Sequence, residues 1–508
     1  MRFILFLPMF SSIRHLVGPA GLRRLAARLC ALGLMPVGLL PFGFMPQAFA
    51  QYVPSLQLSP LPVEARGAFE RSGLPLASVG VAVLPVPNQA LGSVLQGYGL
   101  NAENAFNPAS TIKLVTTRAA LDLLGPDYRH KTRIATTGTL NGNTLEGDLF
   151  FQGGGDPKLV VEDLSEIVER LRAIGIHHIK GRFVIDGTRF DEPEIDPAAF
   201  DQRPYAAYNV GPHAAMVNFK AMKISVSSEF AGRVQLQTEP RVDPRLLRNQ
   251  VSVVDGGCGR TQVTARMDTD SRILVSGVMG RRCPGTSFYV SVLDHVRFAH
   301  AAFEAAWRAA GGTMQVELQS GATPAHARTL VDWQSPRPLL ELVADINKLS
   351  NNPMSRQMFL NLSATSGQPA TRQASSRIIR QHLASRGLAF PELVLDNGSG
   401  LSRQERISAL SMVRLLTYAL MSKDGQDWVS TLPLVGFEGT VRNRLRDSAV
   451  QGQAWIKTGS LEGVRSYAGY VRSAAGRWVI LAVIVNHPEA DRARPGMDEL
   501  LKWVHANL

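Results

Sequence analysis

Ser110 and Lys113 stand three positions apart in Ser110-Thr111-Ile112-Lys113. They head a segment whose apolar spacing (Ile112, Val115, Ala119, Leu123) predicts a helix from about Ser110 to Leu124. Residues three apart on a helix share a face, so the amine can reach the hydroxyl. A lysine in water titrates at about 10.4 and is a poor general base, so burial and neighbouring positive charge must lower it before it can take a hydroxyl proton. The positive end of the helix acts in the same sense, favouring a neutral amine and a developing oxyanion. A lone S-x-x-K is commonplace, but no other S-x-x-K occurs in this chain.

Ser350-Asn351-Asn352 falls in a turn between two predicted helices. The first starts at Ser335-Pro336 and repeats Leu339, Leu342, Val343, Ile346 and Leu349 with a helical period; the second runs from Met354. Such a turn can aim a hydroxyl (Ser350) and a carboxamide (Asn352) into a cleft, although these residue types also serve simply to cap helices. Lys457-Thr458-Gly459, followed by Ser460, lies on a strand expected over Ala454–Gly459. A strand edge presents backbone groups to an extended peptide, and Lys457 with the hydroxyls of Thr458 and Ser460 could hold a terminal carboxylate. Gly459 leaves room for close approach to the backbone. Two other features carry less. His177-His178 has no third ligand nearby, and Asp156, in the glycine-rich 153–157 segment, precedes no lysine-serine/threonine pair and reads as a turn former. No metal site and no cofactor are expected.

The elements that must position these motifs change texture along the chain. Strands read over Ser78–Pro85 and about Val94–Leu100 precede the Ser110 helix, and strands over Ala454–Gly459, Arg465–Arg472 and Arg477–Asn486 precede a last helix, Met497–Val504. Between these outer segments the texture is strand-rich, opening with a hairpin about Asn141-Gly142 and including one amphipathic helix over Glu162–Ile174 and another at about Asp294–Ala310. The expectation is therefore an α/β domain built from residues 51–128 and 329–508, with a large, mostly β insertion over 129–328.

The formal charge of +12 is partly local: Arg2, Arg14, Arg23, Arg24 and Arg28 lie in the first fifty residues, which contain no Asp, Glu or Lys. Without them 49 basic residues face 42 acidic ones. That mild excess suits an anionic polymer and weak association with a membrane surface, while no basic cluster interleaved with aromatics supports nucleic-acid binding. The basic start, the apolar stretch Leu29–Met45 and the ending Ala48-Phe49-Ala50 read as an export signal over residues 1–50, cleaved near Ala50. Pro36, Gly38, Pro41, Gly43 and Pro46 interrupt the continuous helix that a permanent anchor needs. Cys30 leaves with that segment, so Cys258 and Cys283 are expected to form a disulfide in an oxidising, periplasmic location.

In the order S-x-x-K, S-x-N, K-T-G the three motifs resemble the signature of penicillin-binding proteins and serine β-lactamases. The gap of 240 positions between Ser110 and Ser350 narrows the likeness, as do 153–157 (GGGDP), 396–403 (DNGSGLSR), 439–442 (GTVR) and 457–461 (KTGSL). The chain resembles the low-molecular-mass class C penicillin-binding proteins, the D-alanyl-D-alanine carboxypeptidase/endopeptidase family. The resemblance implies a serine β-lactamase-like fold, an antiparallel sheet flanked by helices. It also implies that Ser110 attacks the carbonyl between two D-alanines, Lys113 takes its proton and Ser350 relays a proton to the leaving amine. Asn352 would bind the substrate backbone, Lys457, Thr458 and Ser460 the terminal carboxylate, and the backbone N–H groups of Ser110 and Ser460 the oxyanion. Peptidoglycan peptides would be substrates and β-lactams covalent inhibitors. Relatives use residues of the insertion to contact the substrate's side-chain amine, which makes Asp186 and Asp191 candidates here, alongside a plain turn role. Ser355-Arg356-Gln357 departs from the family, in which a small residue followed by an acid is common. A serine β-lactamase and a catalytically idle penicillin-sensing or peptidoglycan-binding module are the alternatives.

Overall fold

In a computed structural model of the protein, residues 55–86, 94–228, 233–364 and 367–508 are described. The expected export signal, residues 1–50, lies outside them. Apolar runs from both ends of the chain meet in one six-stranded sheet. Its strands are β1 (Ser55–Pro60), β2 (Val79–Pro85), β3 (Val94–Leu100), β4 (Ala454–Leu461), β5 (Val464–Arg472) and β6 (Trp478–Asn486). Their spatial order is β1-β3-β2-β6-β5-β4, which leaves β4, the strand of Lys457, at an edge.

The central strands are buried on both faces. Ala82, Leu84, Ile480, Ala482 and Ile484 pack into one apolar core, and Val79, Val81, Val83, Leu481, Val483 and Val485 into another. Successive side chains point to opposite faces of a strand, so a strand with a layer on each side is apolar at every position. Pairing is antiparallel except that β1 runs parallel to β3. The expected antiparallel sheet is thus present, with one parallel pair added at its edge.

Helices α1 (Lys113–Leu124), α2 (Leu339–Leu349), α3 (Asn352–Asn361) and α4 (Ala409–Met421) contribute to the first core. Helix α5 (Arg494–Asn507) packs its Met497, Leu500, Leu501 and Val504 into the second. The first nine residues of α1 are all buried, whereas Leu123 is 40% exposed. This helix is a central post rather than the one-sided surface helix that its stripe suggests. A 3₁₀ turn, Ala109–Ile112, precedes it.

Residues 131–334 have an apolar core of their own, running from Ile134 to Trp333 and holding Phe151, Phe183, Phe303 and Trp307. A seven-stranded sheet, two three-stranded sheets and the helices Val161–Ala173 and His295–Ala309 surround it. Strand Arg328–Gln334, which the sequence places mainly at the start of the second outer segment, pairs antiparallel with Lys131–Thr136 instead. Its Val331 and Trp333 point into the insertion's core, which fixes the register. Strands Thr286–Val290 and Thr313–Ser320 were not foreseen. Cys258 and Cys283 are bonded to each other and tie the turns that follow two parallel-paired strands, Leu247–Val254 and Ile273–Gly280.

Candidate active site

Ser110 lies in the 3₁₀ turn that leads into α1, and that turn is wedged between two glycines. A Cβ on Gly459 of β4 would stand 2.9 Å from Ser110 N and 2.7 Å from Pro108 O; one on Gly400 would stand 2.6 Å from Ser110 N. Glycine at 459 therefore makes room for the Ser110 turn itself. The turn is held further by Ser466 Oγ, which donates to Pro108 O at 2.6 Å. The backbone of β4 at Gly459 thus lies against the Ser110 turn.

Lys113 is fully buried. Its amine donates to Asn352 Oδ1 at 2.7 Å and to Ser399 O, and it stands 3.1 Å from Ser110 Oγ. A neutral amine has two protons and one lone pair; with both protons placed on Asn352 and Ser399, the lone pair faces the Ser110 hydroxyl. Burial, followed by the charge of Lys457, holds the Lys113 pKa well below its ordinary value; Arg356 lowers it further, and Glu405 opposes the shift. The amine is therefore poised to accept a proton.

Ser350 ends α2 in the left-handed conformation (φ 58°, ψ 34°), and Asn351 caps α3 by accepting from Met354 N at 3.0 Å. The capping reading holds for Asn351. Asn352, already in the first turn of α3, donates from Nδ2 to Tyr208 O of the insertion at 3.3 Å. Lys457, also fully buried, donates to Ser350 Oγ at 2.9 Å and to Thr458 O at 2.8 Å; burial pulls its pKa down to about 7. It does not line the cleft. The cleft, of about 570 Å³, is lined by Ser110, Ser350, Thr440, Thr458, Gly459 and Ser460 among others, with Thr440 and Thr458 hydroxyls 2.7 Å apart. The Lys457 amine therefore reaches the cleft through the Ser350 hydroxyl, and Thr458 and Ser460 face it directly. The structure brings Ser110, Lys113, Ser350, Asn352 and the 457–460 segment together.

Asp186 and Asp191 are not in this cleft. Asp186 is buried, with one oxygen accepting from Thr188 N and Oγ1 and the other from Thr323 N and Gln152 Nε2. Asp191 lines a separate cavity beside Arg372 and Asp396. Several contributors lie in segments that the sequence marked without giving their residues a part in the site. Ser399 O receives the Lys113 amine, and Thr440 joins the rim. Arg356 and Gln357, the departure noted above, clamp α3 to the insertion. Arg356 Nη1 donates to Asn209 O (3.0 Å) and Val210 O (2.9 Å), and Gln357 exchanges hydrogen bonds with the backbone of His213. Among the described residues no group of His, Cys, Asp and Glu is arranged to hold a metal, and no helix is long and apolar enough to cross a membrane.

Comparison with known proteins bears on family and fold. The sequence profile of the D-Ala-D-Ala carboxypeptidase 3 (S13) family matches residues 71–506. A D-alanyl-D-alanine carboxypeptidase from Actinomadura sp. (strain R39) is 28% identical over 430 residues, covering 81% of this chain and 79% of that protein. The D-alanyl-D-alanine carboxypeptidase DacB of Haemophilus influenzae is 25% identical over 393 residues, 76% of this chain and 81% of that one. The crystal structure of penicillin-binding protein 4 (dacB) from Haemophilus influenzae superimposes with a TM-score of 0.69 at 22% identity, over 87% of this chain and all of that one, which shows that the fold is shared.

Proposed function

Because this chain belongs to the D-Ala-D-Ala carboxypeptidase 3 (S13) family, we propose that it is a serine-type D-alanyl-D-alanine carboxypeptidase whose nucleophile is Ser110 and whose general base is Lys113. The observation that carries the reading is the Lys113 amine, buried, 3.1 Å from Ser110 Oγ, with its other hydrogen bonds committed to Asn352 and Ser399. Lys113 takes the hydroxyl proton as Ser110 Oγ bonds to the carbonyl carbon of the penultimate D-alanine. The oxyanion is received by the N–H groups of Ser110 and Ser460, a contribution that is typically large. Ser350, hydrogen-bonded to Lys457, gives its proton to the leaving amine and is refilled by the proton that Lys113 took from Ser110, and Lys457 works through that hydroxyl. Thr458, Ser460 and Thr440 hold the terminal carboxylate, and Asn352 contacts the peptide backbone. Water then releases the acyl group from Ser110.

Peptidoglycan stem peptides are the substrate class that fits. Cross-link cleavage uses the same chemistry, because its scissile bond also follows a D-alanine carbonyl, so D,D-endopeptidase activity is part of the proposal. So is periplasmic location after loss of residues 1–50, which N-terminal sequencing of the mature protein checks. A β-lactam presents a strained amide to the same serine and should form a slowly released adduct. The decisive experiment incubates the mature enzyme with labelled penicillin and with purified muropeptides. The expected result is one adduct, at Ser110, with release of D-alanine, both lost in Ser110→Ala. An adduct elsewhere overturns the assignment; rapid penicillin turnover makes the protein a β-lactamase, and a stable adduct without peptide turnover makes it a sensor.

A further inference from the structure

Glu405 is fully buried, within 10 positions of Ser399, and takes no part in the chemistry described so far. Its Oε1 accepts from Gly398 N at 2.8 Å and Asn397 N at 3.2 Å, while Oε2, equally enclosed, has no partner. The loop it closes is the one that receives α1. Gly398 O accepts from Thr116 Oγ1 and Ser355 Oγ, both at 2.8 Å, and Ser399 O accepts from Lys113. A buried carboxylate is costly unless opposite charges or hydrogen bonds compensate it, and the cations within its field are Lys113 and Arg356.

We propose that Glu405 is a positioning residue for the acyl transfer: its carboxylate holds the 396–400 loop under Lys113 and sets a negative charge against the amine that takes the Ser110 proton. This rests on Lys113 acting as the base. The groups that bear on the pair are Asp396, of like sign to Glu405, and Arg356 and Lys457, of like sign to Lys113. Burial, with Asp396 adding to it, raises Glu405 to about 7, inside the working range of an exported enzyme. An ionised Glu405 favours the ammonium form of Lys113 and so strengthens it as a base. Without that charge burial and two neighbouring cations would leave the amine neutral but too weak to draw a hydroxyl proton, since a base works best with a pKa near the operating pH.

The test is the pH profile of penicillin acylation at Ser110 for wild type, Glu405→Gln and Glu405→Asp, with thermal melting to confirm folding. Gln keeps an oxygen for the two N–H groups and removes the charge; Asp keeps the charge on a shorter arm. The acid limb of Glu405→Gln should move to lower pH by about one unit, a change of about tenfold in rate on that side. The limb of Glu405→Asp should stay near that of wild type while its rate falls at every pH. If the limbs of Glu405→Gln and wild type coincide, Glu405 is only structural and the inference fails; should Gln not fold, Glu405→Asn, uncharged on the shorter arm, is compared with Glu405→Asp, and coinciding limbs again overturn the inference. Failure of the parent reading looks different: the wild type itself forms no adduct at Ser110, or Lys113→Met acylates at the full rate.

Discussion

The two ends of the cleft each bury a lysine, and the two are tuned differently. Lys457, on an edge strand, is lowered to about 7 by burial alone, and its amine is engaged by one hydroxyl and one carbonyl. Lys113, on a central helix, feels burial and then three charges, those of Lys457, Glu405 and Arg356. The charge of Lys457 is the largest of the three on Lys113 and acts with burial to lower it. Burial alone can place a lysine near neutrality; the lysine beside Ser110 answers to a constellation of charges as well. A strand-borne charge thus bears on the amine of the helix.

The harshest way to break that contrast is to remove each amine. Lys113→Met should cut the acylation rate by about 10²–10⁴-fold, the range for loss of a general base. Lys457→Met should cost less, about 10–100-fold, because it acts through Ser350 and through its field. Amidating the substrate's terminal carboxylate should leave the Lys457→Met factor unchanged. A factor that vanishes on the amidated peptide would restore Lys457 as the carboxylate anchor.

Arg356 sharpens the comparison, since its charge bears on Lys113. Arg356→Met removes a cation and should move the acid limb of acylation to higher pH, opposite to Glu405→Gln. Stranding the carbonyls of Asn209 and Val210 should also cost about 1–3 kcal/mol of stability, read by denaturant unfolding. A limb that does not move would mean that Arg356 only clamps α3 to the insertion.

The smallest effect is on stability as a function of pH. The folded pKa of Lys457 lies below its unfolded value of 10.5. The unfolded chain therefore holds more protons between about 7 and 10.5, and stability rises with pH across that window. The burial penalty is complete below about 7 and fades toward 10.5. Lys457→Met should accordingly gain melting temperature over wild type at pH 6 and lose that advantage as pH rises. A constant difference would mean that the amine is not buried as a charge.

Much of the site was legible because it is local. The pairing of Ser110 with Lys113 follows from helix spacing, the Ser350-Asn351 turn from the break between two apolar periods, and the strand of Lys457 from its alternation. The disulfide partners followed from there being only two cysteines after residue 50. The misses are also instructive. Leu349 continues the period of α2 yet is 63% exposed, because α2 ends there at the rim of the cleft. Arg328–Gln334 joined the insertion because strand pairing, not texture, decides membership of a sheet.

What the sequence determined by itself was which residues could do chemistry and on which elements they ride, since periodicity and turn chemistry act over a few residues. Which groups of distant segments face one another was decided by the tertiary structure alone. That Gly459 and Gly400 wedge the Ser110 turn, that Ser399 offers its carbonyl to Lys113, that Lys457 points at Ser350 rather than into the cleft, and that Glu405 lies buried among cations are contacts between segments far apart in the chain. Burial and electrostatic fields depend on what surrounds a group in three dimensions, so no spacing along the chain could have announced them.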